Sequence, residues 1–243
     1  VNTGAGADDI VLNVSLAADE TIDGGAGSND EITLNATVNL GAVTDVEIVN
    51  IQAAATVDFD NFTGVTDVNI LTTGAVVVDK LVTSEVDTIT GADRTIQDMA
   101  SGSVATFDAA GDLSLVIDDT GLTDIVADLA SGTLKIDTGA GSAVTDVTIT
   151  SSGSVTALSG IQVANLKEID ASGIAGTFAA SSMSAITAYE GAGGADALAI
   201  SGVNASATIN LNGGDDDFTS TATAGTVNAV SYTHLRAHET LPY

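Results

Sequence analysis

Apolar and polar residues alternate along much of this chain. In Ile32-Thr33-Leu34-Asn35-Ala36-Thr37-Val38-Asn39-Leu40 every second residue is apolar, and the residues between are Thr or Asn. Ile10, Leu12, Val14 and Leu16 repeat the spacing, as do Ile209 and Leu211. Successive side chains of a strand point to opposite faces, so each segment predicts a strand with one buried and one wet face. Thr and Val favour strands, and the single proline, Pro242, leaves the ladders upstream of it uninterrupted. Helical signals are weak; short turns are expected at 97–100 and 159–164.

A second pattern lies above the first. Val43-Thr44-Asp45-Val46-Glu47-Ile48 recurs as Val65-Thr66-Asp67-Val68-Asn69-Ile70 and as Val144-Thr145-Asp146-Val147-Thr148-Ile149. Looser copies are Leu122-Thr123-Asp124-Ile125 and Leu166-Lys167-Glu168-Ile169. The step from Val43 to Val65 is the same as the steps from Leu122 to Val144 and from Val144 to Leu166. A fixed period of this length predicts a solenoid, in which a coil buries its apolar face by stacking on the next. The predicted class is all-β, a parallel β-solenoid (β-helix) with coils of about 20–22 residues. At about 4.8 Å per stacked strand, roughly ten coils make a rod near 50 Å long. Leucine is too sparse for a leucine-rich-repeat horseshoe. An antiparallel β-sandwich shows the same alternation and stands as the alternative. Asp45, Asp67 and Asp146 are expected in a solvated outer column.

Composition narrows the partners. The chain has 5 Lys+Arg against 33 Asp+Glu, a net charge of −28, yet it is 44% hydrophobic. That apolar content predicts a folded domain rather than an acidic disordered tail. The charge excludes nucleic acid as a partner and favours cations and basic surfaces. With no cysteine, disulfides and thiolate metal sites are excluded. No apolar run is long enough to span a membrane. The chain opens at Val1 almost inside a motif and shows no signal peptide, so it is expected to be an internal piece of a longer protein.

Residues 231–243 break the composition: they hold both histidines, the proline and two of the three tyrosines. The stretch resembles translated library-adapter sequence that recurs on unrelated gene predictions. The expected organisation is therefore one β-repeat domain over residues 1–230 and a non-native tail. His234 and His238 have a zinc-binding spacing, but no Glu follows the first and no third ligand is in view.

Candidate chemistry lies in the Gly/Asp turns. Gly4-Ala5-Gly6-Ala7-Asp8-Asp9-Ile10 reads G-x-G-x-D-x-I, and Gly24-Gly25-Ala26-Gly27 is followed by Ser28-Asn29-Asp30-Glu31-Ile32. Near the other end come Gly191-Ala192-Gly193-Gly194-Ala195-Asp196-Ala197-Leu198 and Gly213-Gly214-Asp215-Asp216-Asp217-Phe218. Glycine reaches positive φ and lets a turn curl its carbonyls toward one point, while Asp adds a charged oxygen. A calcium ion, which takes six to eight oxygens, suits that mixture. These turns resemble the glycine-rich nonapeptide of the repeats-in-toxin (RTX) family, G-G-x-G-x-D-x-U-x, which binds calcium. The resemblance implies Gly4, Gly6, Asp8, Gly25, Gly27, Asn29, Asp30, Gly193, Asp196, Gly213, Asp215 and Asp217 as metal residues, with Ca2+ as the cofactor. Gly4 and Gly24 stand about one coil apart, as do Gly191 and Gly213, so each pair of turns is expected to share an ion between neighbouring coils. The plain alternative is a turn in which Asp bonds its own backbone. Gly139-Ala140-Gly141, with Asp146 downstream, is read as such a plain turn.

The Thr/Ala/Val/Asp/Gly bias and the segment 166–173 resemble bacterial surface-layer proteins with RTX-like repeats. The resemblance implies a non-catalytic structural protein, secreted or at the cell surface, with calcium and other copies of itself in a surface lattice as partners. An adhesin and a carbohydrate-active β-helix enzyme are the alternatives. The enzyme is disfavoured because residues 1–230 hold only Lys80, Arg94, Lys135 and Lys167 to bind an acidic sugar, and no Trp to stack a neutral one. Ser and Thr nucleophiles there have no histidine beside them.

Overall fold

A computed structural model of the chain describes residues 1–14, 19–36, 41–53, 56–80, 85–88, 94–97, 103–118, 121–138, 142–162, 165–220, 226–228 and 234–237. All regular structure among them is strand, and every strand pairing is parallel. The protein is a parallel β-solenoid. The antiparallel sandwich is thereby excluded, and Ser159–Gln162, expected in a turn, continues the strand Val155–Gln162. Of the other expected turn, 98–100 lie outside the described residues. No helix long and apolar enough to cross a membrane occurs among the described residues.

Two faces make up most of the solenoid. On the front face Asp9–Leu12, Glu31–Leu34, Ile48–Ile51, Asp67–Ile70, Glu85–Thr88, Ser103–Ala109, Leu122–Leu129, Asp146–Ser151 and Glu168–Ile174 stack in order. The C-terminal parts of Phe178–Glu190 and Ala197–Asn210, then Thr226–Asn228, continue it. The back face runs from Thr56–Asp58 through Val76–Asp79, Arg94–Gln97, Leu113–Asp118, Gly132–Thr138 and Val155–Gln162. It ends with the N-terminal parts of the two long strands, Asp217–Ser220 and His234–Ala237. At the N-terminal end a short third face pairs Ile22–Asp23 with Val43–Thr44.

Alternation puts the core between the faces. Ile10, Ile32, Val49, Val68 and Val86 form one stacked inward row, and Leu12, Leu34, Ile51 and Ile70 form the next; all are buried. Each inward apolar side chain stabilises by about 1.5–3 kcal/mol on leaving water. Phe59 and Phe62 pack with ring centroids 4.8 Å apart at the third face's end of the core.

Coil length is not constant. Asp124, Asp146 and Glu168 are in register, as the repeats at 122, 144 and 166 predict, and form an acidic outward column. The repeat at 43 and 65 is not the register. Ile48 pairs with Asp67, and Glu31 pairs with Ile48, so these two coils are shorter than the one from Asp124 to Asp146. Asp45 and Asp67 therefore do not stack. The structural repeat here is Val46-x-x-Val49-Asn50-Ile51 over Val65-x-x-Val68-Asn69-Ile70, because this offset keeps Val49 on Val68 and Ile51 on Ile70 inside the core.

Candidate functional site: carboxylates at the solenoid corners

The two pairs of Gly/Asp turns lie at different corners. Gly4–Asp8 and Gly24–Asp30 both lead into the front face, at what we call the leading corner. Residues 191–196 and 211–216 lead from the front face to the back face, at the far corner, near the opposite end of the rod.

At the leading corner the turns stack. Ala5 bridges Ala26, the Ala26 N–H donates to the Gly4 carbonyl at 2.8 Å, and the Gly6 N–H donates to the Ala26 carbonyl at 3.2 Å. Glycine is required by this approach: a Cβ on Gly25, at φ +91°, would stand 1.9 Å from the Gly4 oxygen, and one on Gly27 2.0 Å from the Gly6 oxygen. Asn29 takes the left-handed region at φ 72° and is exposed.

Asp30 is the centre of this corner and is 0% exposed. Its Oδ1 accepts the Asp8 N–H at 2.8 Å. Its own N–H donates to Oε2 of Glu47 at 2.8 Å, and its carbonyl accepts the N–H groups of Glu47 and Ile48, both at 3.0 Å. Asp8, Asp30 and Glu47 thus occupy one stacked position on three consecutive coils. Oδ2 of Asp8 and Oδ2 of Asp30 are buried and have no hydrogen-bond partner. A buried polar atom without a partner costs about 1–3 kcal/mol, more when charged, so two at one corner call for a ligand. Among the described residues no three carboxylate or histidine side chains converge to hold a metal by themselves. Carbonyl oxygens and water would have to complete the shell.

At the far corner the geometry differs. Asp196 is 2% exposed, and both its oxygens are engaged: Oδ1 by the Phe178 N–H at 3.1 Å, Oδ2 by the Ala192 N–H at 2.9 Å and the Tyr189 hydroxyl at 3.3 Å. Burial is the largest influence on this carboxyl and pushes its pKa up to about 6; the Phe178 and Ala192 N–H groups pull the other way, and the Asp216 charge adds to the rise. Burial likewise raises the Tyr189 hydroxyl, which stays neutral. Asp215 and Asp217 are exposed, whereas Asp216 between them is 1% exposed. Its Oδ1 accepts the Asp196 N–H at 3.0 Å, and its Oδ2 is buried without a partner. Gly193 is exposed and Gly213 half-buried on the next coil.

The expected pairs are therefore brought together, Asp8 with Asp30 and Asp196 beside Asp217, whose N–H donates to the Asp196 carbonyl at 2.8 Å. The two corner acids that sequence reasoning missed are Glu47, which is half-buried, and Asp216, which is buried. A signal for both exists. Each corner acid stands two residues before a buried apolar residue: Asp8 before Ile10, Asp30 before Ile32, Glu47 before Val49, Asp196 before Leu198 and Asp216 before Phe218. Strand parity then turns the acid toward the interior. Gly139 and Gly141 lie outside the described residues, as does His238. His234 opens a strand that pairs with Asp217–Ser220.

No protein-family model, curated protein or solved structure matches this chain. Calcium would find two unpartnered buried carboxylate oxygens at the leading corner. It does not fit Asp196, whose oxygens already hold protein donors.

Proposed function

We propose that this chain is a non-catalytic structural β-solenoid of a bacterial secreted or cell-surface protein, of the surface-layer type with RTX-like corners, and that calcium at the leading corner ties its N-terminal coils together. The observation that carries this reading is the pair of buried, unpartnered oxygens, Oδ2 of Asp8 and Oδ2 of Asp30. Asp8 and Asp30 would hold the ion by side chain, with carbonyls of the Gly4–Asp8 and Gly24–Asp30 turns and water as further oxygens. Bound calcium supplies positive charge where stacked carboxylates repel one another. Ions bound only by the folded state add stability by mass action, so the fold would tighten on reaching a calcium-rich exterior. The polar side chains buried at the corners hold neighbouring backbone, which suits a scaffold.

Thermal melts of the full chain in calcium and in chelator test the reading. At calcium a hundredfold above Kd the melting temperature should rise by about 5–10 °C over the chelated protein. Superimposable melts would overturn it.

A further inference from the structure

We propose that Glu47 is a positioning residue for the leading-corner cation site, acting through the main chain of Asp30. The inference rests on the calcium reading and adds to it a residue from a third coil. Glu47 and Asp30 grip each other reciprocally: Glu47 Oε2 accepts the Asp30 N–H at 2.8 Å, and the Glu47 N–H donates to the Asp30 carbonyl at 3.0 Å. Asp30 is thereby fixed from one side by Glu47, and on the other side its Oδ1 is fixed by the Asp8 N–H. What remains free is Oδ2 of Asp30 together with Oδ2 of Asp8. Oε2 of Glu47 is committed to an N–H, so it serves the ion by holding the residue that binds it.

The short coil is what places Glu47 here. The step from Asp8 to Asp30, taken again from Asp30, would end at Gln52; the actual step is shorter and ends at Glu47. The order of the ladder matters as well. Each acid accepts the N–H of the coil before it, Asp30 from Asp8 and Glu47 from Asp30, so loss of the Glu47 side chain leaves the Asp30 N–H without its acceptor while the Asp30 carboxylate stays in place.

The role requires an acceptor at position 47 rather than a charge, and that separates positioning from direct ligation. Calcium titration calorimetry on the full chain compares wild type, Glu47→Ala and Glu47→Gln. Glu47→Ala should weaken calcium binding about 10- to 100-fold, as loss of a supporting partner does. Glu47→Gln keeps an amide oxygen for the Asp30 N–H and should stay within roughly threefold of wild type. Equal affinity of Glu47→Ala and wild type would overturn the proposal. So would a Glu47→Gln loss beyond tenfold, which would make the charge itself a ligand; this arm decides even where Glu47→Ala does not fold. A wild type that binds no calcium would overturn the calcium reading and this inference with it, whereas the variant outcomes strike the inference alone.

Discussion

The backbone N–H of Asp196 donates to Oδ1 of Asp216, one coil further on, at 3.0 Å. The same bond in the same direction joins Asp8 to Asp30, Asp30 to Glu47 and Phe178 to Asp196. At these corners a carboxylate takes the place of the carbonyl that a strand ladder would offer. A charged acceptor makes a stronger bond than a neutral one, but it also leaves a second oxygen to be satisfied. Asp196 satisfies its second oxygen with Ala192 and Tyr189, while Asp8, Asp30 and Asp216 do not.

Asp196 is therefore a structural acid, and its removal should be severe. Asp196→Ala strands the N–H groups of Phe178 and Ala192 and the Tyr189 hydroxyl, and should cost roughly 2–5 kcal/mol. Urea denaturation followed by circular dichroism measures this. A loss under about 0.5 kcal/mol, the range of ordinary surface substitutions, would contradict the ladder.

The same residue sets a pH dependence. Its carboxyl is raised from 3.8 to about 6 in the fold, so the folded protein binds the proton more tightly than the unfolded chain. The linked stability is fully present below 3.8 and is lost as pH rises through about 6. In chelator, the melting temperature should fall across this window as pH rises, and Asp196→Asn should flatten the fall. An identical slope in the variant would show that other groups carry it.

Two glycines of the leading corner should respond differently to the same change. Gly4 has φ +107° with nothing within 4 Å of a Cβ, so Gly4→Ala meets backbone strain alone, about 1–3 kcal/mol. Gly25→Ala adds a collision with the Gly4 oxygen at 1.9 Å, and the coils must separate to admit it. Gly25→Ala should thus melt several degrees below Gly4→Ala. Equal melting temperatures would mean that the two turns do not stack closely.

The strands were legible because burial follows parity: Ile10 with Leu12 and Ile32 with Leu34 point inward as their alternation requires. The coil length was legible only in part. Identity of the Val-Thr-Asp-Val string suggested 43 over 65, but the core matches Val49 to Val68 and leaves Ile48 facing outward. Packing of Val49 and Ile51 on Val68 and Ile70 outranked likeness of the two strings. At the far corner three consecutive aspartates offered no choice by composition, and parity with buried Phe218 selects Asp216 over Asp215 and Asp217. Glu47 escaped notice because no glycine precedes it, although Glu47-Ile48-Val49 has the same acid-x-apolar form as Asp30-Glu31-Ile32.

The claim that calcium closes the leading corner is tested most directly by titrating calcium into wild type and Asp30→Asn by calorimetry. Wild type should show a saturable component that Asp30→Asn lacks, above the weak background expected of a chain with net charge −28. Indistinguishable isotherms, with or without binding, would contradict a calcium site at Asp30.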